Sequence, residues 1–426
     1  MASNKRVLIL SYYWPPAGGS GVQRWMYFAK YLQQLGWEPI LIVPDPKQAS
    51  YAVLDPTLAA EVTHIRRVET PSLEPLRWYA RFQKSTQGIP QGEVPRKSLF
   101  QKVAAFIRGN FFIPDARKGW VPYAVTAAEK ILAEGPVHTL VTSGPPHSTH
   151  LAGLQLKEKY DLHWWADFRD PWSEVFYNQS LYRLASSIRK DKALEAQVLQ
   201  KADGILTTIG GAFHNALKAI APRQRLVALP NGFDDERFST IPPEAPSDKF
   251  HLVYAGLLTQ NQAYDRVVEA LKPLATKTAI RWTLAGQIAP EIVAYIQTEL
   301  PQIEVDYRGY ISHPAAIALM KSADLLLNFS FEGAHQQMIS GKLLEYTATQ
   351  VPILSLGDPQ SAAAQFLMQG SAAQMIAPAN IPAITQFLEK VLGQHKSIKN
   401  TFPELEQWSR KAIAEQLIHV WEKKTR

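Results

Sequence analysis

RVLILSYYWPPAGGSGVQRWMYFAKYLQQLGWEPILIV, residues 6 to 43, carries the first decision about the fold. Residues 6 to 13 are an apolar run of strand length, which WPPAGGSG then breaks with prolines and glycines. Beyond it Val22, Trp25, Met26, Ala29, Leu32 and Leu35 recur at three- and four-residue steps, predicting a helix that stops near Gly36. Pro39 to Val43 reads as a second strand. Strand, glycine loop, helix and strand make a βαβ unit, whose crossover is right-handed and whose strands are parallel and buried. The expectation is an α/β, doubly wound domain.

The alternation recurs downstream. Strands are expected at 138–143, 163–168 and 204–209, with a helix at 148–160. A second series starts with a strand at 250–255, a helix at 264–277 and a strand at 281–285, and adds strands at 323–329 and 351–356. The length of 426 residues, at about 150 per domain, allows two to three domains. NGFDDERFSTIPPEAPSDK, residues 231 to 249, trades apolar periodicity for proline and charge and reads as a linker or surface crossing. The division expected is 1–226 with 406–426 crossing back, and 227–405. The last segment, 404–424, spaces Leu405, Trp408, Ala412, Leu417, Ile418 and Trp421 near helical intervals and needs a surface to bury its tryptophans.

Composition narrows the chemistry. With 46% hydrophobic and 19% charged residues the chain can build large cores. Zero cysteines exclude disulfides, thiolate zinc sites, iron–sulfur clusters and cysteine nucleophiles. No apolar run is long enough to span a bilayer, and the opening MASNKRVLIL shows no cleavage site, so neither a spanning helix nor a signal peptide is expected. A net charge of +7 either favours anionic partners or serves solubility alone.

Four stretches carry candidate chemistry. Gly18, Gly19 and Gly21 lie between the first strand and its helix, where free N–H groups and close backbone approach suit a phosphate or an acidic sugar group; the alternative is a tight turn. The dinucleotide pattern G-x-G-x-x-G is absent, which argues against a nicotinamide enzyme. Ser340-Gly341-Lys342-Leu343-Leu344-Glu345-Tyr346 opens a helix with a capping serine, a glycine and a cation, and Lys342 and Glu345 share one face. That face suits an anion and a diol together, as in a nucleotide sugar; the alternative is an exposed ion pair. In Asp167-Phe168-Arg169-Asp170, at the end of a buried strand, Asp167 or Asp170 suits a base or a hydroxyl ligand and Arg169 a phosphate, or the group fixes a loop. His147 and His150 stand at the preceding junction, where either suits an acceptor or a phosphate; the alternatives are polar lining for His147 and packing inside the helix for His150, and with no third ligand in sight no metal site is expected. Finally Arg96, Lys97, Lys102, Arg108, Arg117 and Lys118 accompany Leu99, Phe100, Val103, Phe106 and Ile107 on one helical face. This is either a helix for an anionic membrane surface or a core helix with a basic side. No nucleic-acid motif accompanies it.

In order and spacing, YYWPPAGGSGVQRW, PDARKGW, TSGPPHSTH, DFRDPW, LPNGFD, YAGLL and SGKLLEY resemble glycosyltransferase family 4 enzymes of the GT-B fold, in a branch similar to bacterial cell-surface polysaccharide transferases. The resemblance covers nearly the whole chain. It implies two Rossmann-like domains facing a cleft, acceptor in the first and nucleotide sugar in the second, with the last helix crossing back. It implies donor contacts from Gly18, Gly19, Gly256, Tyr310, Gly341, Lys342 and Glu345, with Glu345 on the ribose hydroxyls. Gly21, His147 and His150 would border the acceptor, and Asp167, Arg169 and Asp170 would supply catalytic groups. It further implies retention of anomeric configuration, no bound metal and no cofactor beyond the donor substrate. A cytoplasmic protein, peripheral on the inner face of the plasma membrane, would fit. The chain departs from the pattern at Gln337, where a glutamate is usual, and at Leu257 and Gln262, where a basic pair is usual. The alternatives are a non-catalytic scaffold binding glycan or membrane, and a nucleotide-sugar epimerase.

Overall fold

The computed structural model describes residues 5–51, 54–74, 99–175, 178, 181–208, 210–330, 339–394 and 397–423. The chain divides into two compact units, Met1–Pro230 with Ala414–Arg426, and Asn231–Ile413.

In the first unit β1 (Lys5–Ser11), β2 (Trp37–Pro44), β3 (Arg66–Thr70), β4 (Thr139–Gly144), β5 (Trp164–Phe168), β6 (Gly204–Thr207) and β7 (Arg225–Ala228) form one parallel sheet in the order β3-β2-β1-β4-β5-β6-β7. The order reverses between β1 and β4, which pair from Val7 with Thr139 to Ser11 with Ser143. Ligands of open α/β sheets bind at such a reversal, beyond the carboxyl ends of the strands. The glycine loop follows β1 there, and the helix Ser20–Gln34 begins behind Gly19. Leu8, Leu10, Leu140, Trp164, Ala166 and Ile205 from the central strands meet in one core.

The second unit repeats the plan with β8 (Phe250–Ala255), β9 (Ile280–Ala285), β10 (Glu304–Gly309), β11 (Leu325–Phe329), β12 (Ile353–Leu356) and β13 (Ala373–Ile376), again all parallel, in the order β10-β9-β8-β11-β12-β13. Its reversal lies between β8 and β11. Both sheets are flanked by helices, so the α/β doubly wound class is the one observed.

Three expectations need correcting. The helix at 264–277 is shorter, Tyr264–Leu271, because Pro273 lacks an amide hydrogen and its ring crowds the preceding turn. Residues 231–249 are not a bare linker: Asp234 caps the helix Asp235–Thr240, and Phe233 exchanges backbone hydrogen bonds with Trp408 and Arg410. The terminal segment is a short 3-10 turn, Leu405–Trp408, followed by the helix Arg410–Glu422. Its two tryptophans find separate surfaces: Trp408 packs edge-on against Phe366 in the second unit, and Trp421 is buried against Trp37 in the first. Arg225 donates to the carbonyls of Val420 and Lys423, and Lys5 pairs with Glu422, so the end of the chain is tied to the first sheet.

Candidate functional site

In the second unit the residues picked from SGKLLEY converge. Ser340 Oγ accepts the amide hydrogen of Leu343 and so caps the helix Gly341–Ala348. That helix is entered from the carboxyl end of β11, beside the sheet's reversal. Lys342 Nζ lies 4.1 Å from the ring centroid of Tyr254 and 6.0 Å from that of Tyr346. Removal of the ammonium from water pulls its pKa down to about 7, and among the described residues no carboxylate pairs with it. Gly256 follows β8 with φ +142°, and a Cβ there would stand 3.5 Å from Lys342 Nζ. Gly286, after β9, has φ +117°, and a Cβ on it would come within 2.1 Å of the Gly256 carbonyl oxygen. The strand ends thus approach closely because side chains are missing there.

Glu345 does not pair with Lys342. Its Oε1 accepts hydrogen bonds from His313 Nε2 at 2.9 Å and from Arg410 at 3.1 Å. Burial alone would raise this carboxyl, but His313 and Arg410 outweigh burial and hold it below the usual range. His313 Nδ1 in turn accepts from Arg237 at 2.8 Å, which fixes the tautomer with hydrogen on Nε2. Thus Lys342 and Glu345 are not an ordinary exposed ion pair: one is a cation without a counter-ion among the described residues, the other a braced carboxylate. Gly341 is open, and Tyr310, beyond β10, is exposed.

The departures have structural meanings. Gln262 is buried; its Nε2 donates to the Phe329 carbonyl and its Oε1 accepts from the Thr259 amide, so it ties the loop after β8 to the end of β11. Leu257 is exposed. Gln337 lies outside the described residues.

In the first unit Gly19, at φ +92°, caps the helix Ser20–Gln34 with no side chain, and Gly18 precedes it partly buried. A Cβ on Gly21 would stand 3.0 Å from Arg169 Nη1. Arg169 donates to the carbonyls of Gly21, Gly144 and Pro145, and so clamps the loop after β1 to the loop after β4. It is a brace, with three of its five N–H donors on backbone oxygens.

Asp167 is corrected as a catalytic candidate. It is wholly buried, accepts Arg24 through two guanidinium nitrogens at 2.9 and 3.1 Å, and also accepts Trp25 Nε1 at 2.7 Å and Ser143 Oγ at 3.0 Å. A carboxylate so occupied is a poor base. Asp170 is partly exposed. The histidines are corrected as acceptor contacts too. His150 is fully buried, stacks on Phe168 and bonds through Nδ1 to Thr142 Oγ1 at 2.9 Å. His147 stacks on Trp172 and bonds through Nε2 to the Pro171 carbonyl. Burial pushes His150 down to about 3 and His147 well below its ordinary value, so both are neutral core rings.

Sequence reasoning missed Arg24, His313 and Arg410. The last two stand 32 and 65 residues from Glu345, and no local pattern links such positions.

No family model and no curated protein matches the chain. Solved structures do. Sucrose-phosphate synthase from Thermosynechococcus elongatus superposes with a TM-score of 0.64 at 14% identity, covering 99% of each chain. Anabaena Alr3699/HepE in complex with UDP-glucose gives 0.61 at 10% identity, covering 98% of this chain and 100% of that one. The lipopolysaccharide outer core galactosyltransferase WaaB gives 0.55 at 12% identity over 97% and 99%. These likenesses establish the GT-B fold of the chain.

Proposed function

We propose that this protein is a glycosyltransferase that moves a sugar from a nucleotide diphosphate sugar to a glycan or lipid-linked acceptor in cell-surface polysaccharide synthesis, retaining the anomeric configuration. The observation that carries the reading is the helix Gly341–Ala348, where an ammonium with no counter-ion among the described residues stands one turn before a carboxylate braced by His313 and Arg410. A donor diphosphate fits the helix N-terminus and Lys342. Both braces of Glu345 reach Oε1, which leaves Oε2 to accept from the ribose hydroxyls. The UDP-glucose in the Alr3699/HepE structure, on the same fold, supports this reading.

In the step proposed, the bond from the anomeric carbon to the diphosphate oxygen breaks and one to the acceptor oxygen forms. The acceptor proton passes to the departing phosphate oxygen. The spent state of Asp167 supports that route, since the carboxylate best placed by sequence is already saturated. Lys342 meets the charge that develops on the leaving group. No cofactor or bound metal enters this reaction.

The reading includes a cytoplasmic protein working at an anionic membrane. Val103, Phe106, Ile107 and Phe111 on the helix Leu99–Phe111 are exposed, Phe111 by 65%. Asn110 joins that helix to the carbonyl of Tyr182 and the amide of Leu184, which are exposed as well. Lys102, Lys118, Arg189 and Lys190 are exposed on the same two segments, whereas Asp115 and Asp191 spend their oxygens on Ser148 and on Trp172 and Arg183. Arg96 and Lys97 lie outside the described residues.

The test is thermal stabilisation by UDP, GDP, ADP and dTDP, with Lys342→Met and Glu345→Ala beside the wild type. Binding at a hundred times Kd adds about 2.7 kcal/mol. A nucleotide-selective rise lost in both variants supports the reading. No rise with any nucleotide overturns it and favours the scaffold alternative, to which Leu257 and Gln262 already point.

A further inference from the structure

A second cation has no ion-pair partner among the described residues, although Asp115 and Glu74 act on it from farther off. Arg117, in the first unit just before the 3-10 turn Lys118–Trp120, is 7% exposed, and among the described residues its guanidinium makes no hydrogen bond. Its guanidinium lies over the ring of Tyr12, 5.9 Å from the centroid. The nearby carboxylates are engaged elsewhere. Asp115 accepts from the amide and hydroxyl of Ser148, at the start of the helix Ser148–Lys159, and from the backbone amide of Arg117 itself. Glu74 accepts from Tyr12, from Ser72 Oγ and from the Ser50 amide.

Burying a guanidinium is costly; the tyrosines, Asp115 and Glu74 together outweigh that cost and hold the group charged, but its buried Nε–H has no acceptor among the described residues and is left for one that arrives with a ligand. The location suits one. Tyr12 and Tyr13 follow β1, Tyr51 follows β2 and Glu74 follows β3, so the group stands at the carboxyl edge of the parallel sheet. Tyr13 is among the groups near enough to act electrostatically on Arg117, with Tyr12, Asp115 and Glu74, and it acts on Arg169 as well. The Tyr13 hydroxyl makes no hydrogen bond among the described residues, and its ring and that of Tyr51 are only partly buried, with centroids 6.1 Å apart. Aromatic faces beside a guanidinium fork offer apolar contact for a sugar ring and a bidentate seat for an oxyanion.

We propose that Arg117, with the Tyr13 hydroxyl, binds an oxyanion attached to a sugar, a phosphate or a carboxylate. That this sugar is the acceptor rests on the glycosyl-transfer reading above; the anion site itself does not.

The experiment is calorimetric titration of glucose 1-phosphate, glucuronate and uncharged glucose into the wild type, Arg117→Gln, Arg117→Lys and Tyr13→Phe, with UDP, GDP, ADP and dTDP as a separate arm. The expected result is saturable binding of at least one anionic sugar and none of glucose. Binding should be weakened about ten-fold or more in Arg117→Gln. It should return in part in Arg117→Lys and weaken in Tyr13→Phe. The phosphate and carboxylate arms identify which oxyanion is read. If Arg117→Gln does not fold, Tyr13→Phe decides. Wild-type affinity in Arg117→Gln and Tyr13→Phe overturns the proposal, as does failure of both anions to bind the wild type. Failure of UDP leaves the anion site standing, and failure of GDP, ADP and dTDP as well overturns the donor reading.

Discussion

Arg24 and Asp167 meet at 2.9 Å with both side chains shut off from solvent. Arg24 also donates to the carbonyls of Leu229 and Pro230, so one buried ion pair ties the first helix, the end of β5 and the last residues of the first unit together. Removing one partner of such a pair leaves a buried charge uncompensated, at a cost of about 3–5 kcal/mol. Asp167→Asn is therefore expected to unfold at clearly lower urea concentration than the wild type. A variant of unchanged stability but abolished turnover would restore Asp167 as a catalytic group.

His150 makes the first unit sensitive to acid. Its pKa is about 3 in the fold, because burial disfavours the charged ring, against an ordinary 6.5. The unfolded chain therefore binds the extra proton first. This contribution is complete above about 6.5 and is lost as the pH falls toward 3. His150→Gln should flatten the dependence of melting temperature on pH in that window, and an unchanged slope would contradict the assignment.

Lys342 acts in the opposite range. Its pKa of about 7 lies below the ordinary 10.5, so the folded protein holds fewer protons than the unfolded one between those values. Stability should rise with pH through that window in the wild type and not in Lys342→Met. Nucleotide affinity should fall as the pH rises past about 7, since an anion prefers the ammonium. Affinity independent of pH from 6 to 9 in titrations, on the order of these pKa values, would remove Lys342 from the site.

The His313 brace predicts a sugar-specific defect. His313→Ala frees Glu345 to move and should weaken ribonucleotide binding by about 1.5–3 kcal/mol. The penalty for a 2′-deoxy nucleotide should be much smaller, because the lost contact is the one to the ribose hydroxyls. Equal losses for both sugars would reduce His313 to a fold-stabilising role.

Membrane attachment is checked by flotation with vesicles containing anionic lipid. Phe106→Ser with Ile107→Ser should abolish flotation by removing inserted apolar surface, and Lys102→Glu with Lys118→Glu by reversing the charge. Flotation of both variants like the wild type would reject this face, and self-association of the wild type without lipid would reassign it to a second copy.

The elements most legible in the sequence were the buried central strands. β1, β2, β4, β5 and β8 read as apolar runs because both faces of a parallel sheet are covered. β3, β7 and β13 carried no such signal. They are sheet edges, and β3 buries only its last residue fully, so the apolar pattern that marks a strand is diluted. Among site residues, Ser340, Gly341, Lys342 and Glu345 were legible because capping and spacing on one helix are local properties.

By itself the sequence determined that two βα series exist, where glycines open the loops and which helix starts with a capped cation, all consequences of period and short-range hydrogen bonding. Only the tertiary structure decided how each charge is used. Asp167 and Glu345 look alike as strand- or helix-borne carboxylates, yet the first is consumed by Arg24 and the second is braced by His313 and Arg410. Lys342 and Arg117 look like ordinary surface cations, yet the fold half-buries the first and buries the second beside tyrosine rings, with no ion pair among the described residues. Pairing and burial depend on residues brought together across the sheet, and those distances are absent from the order of the chain.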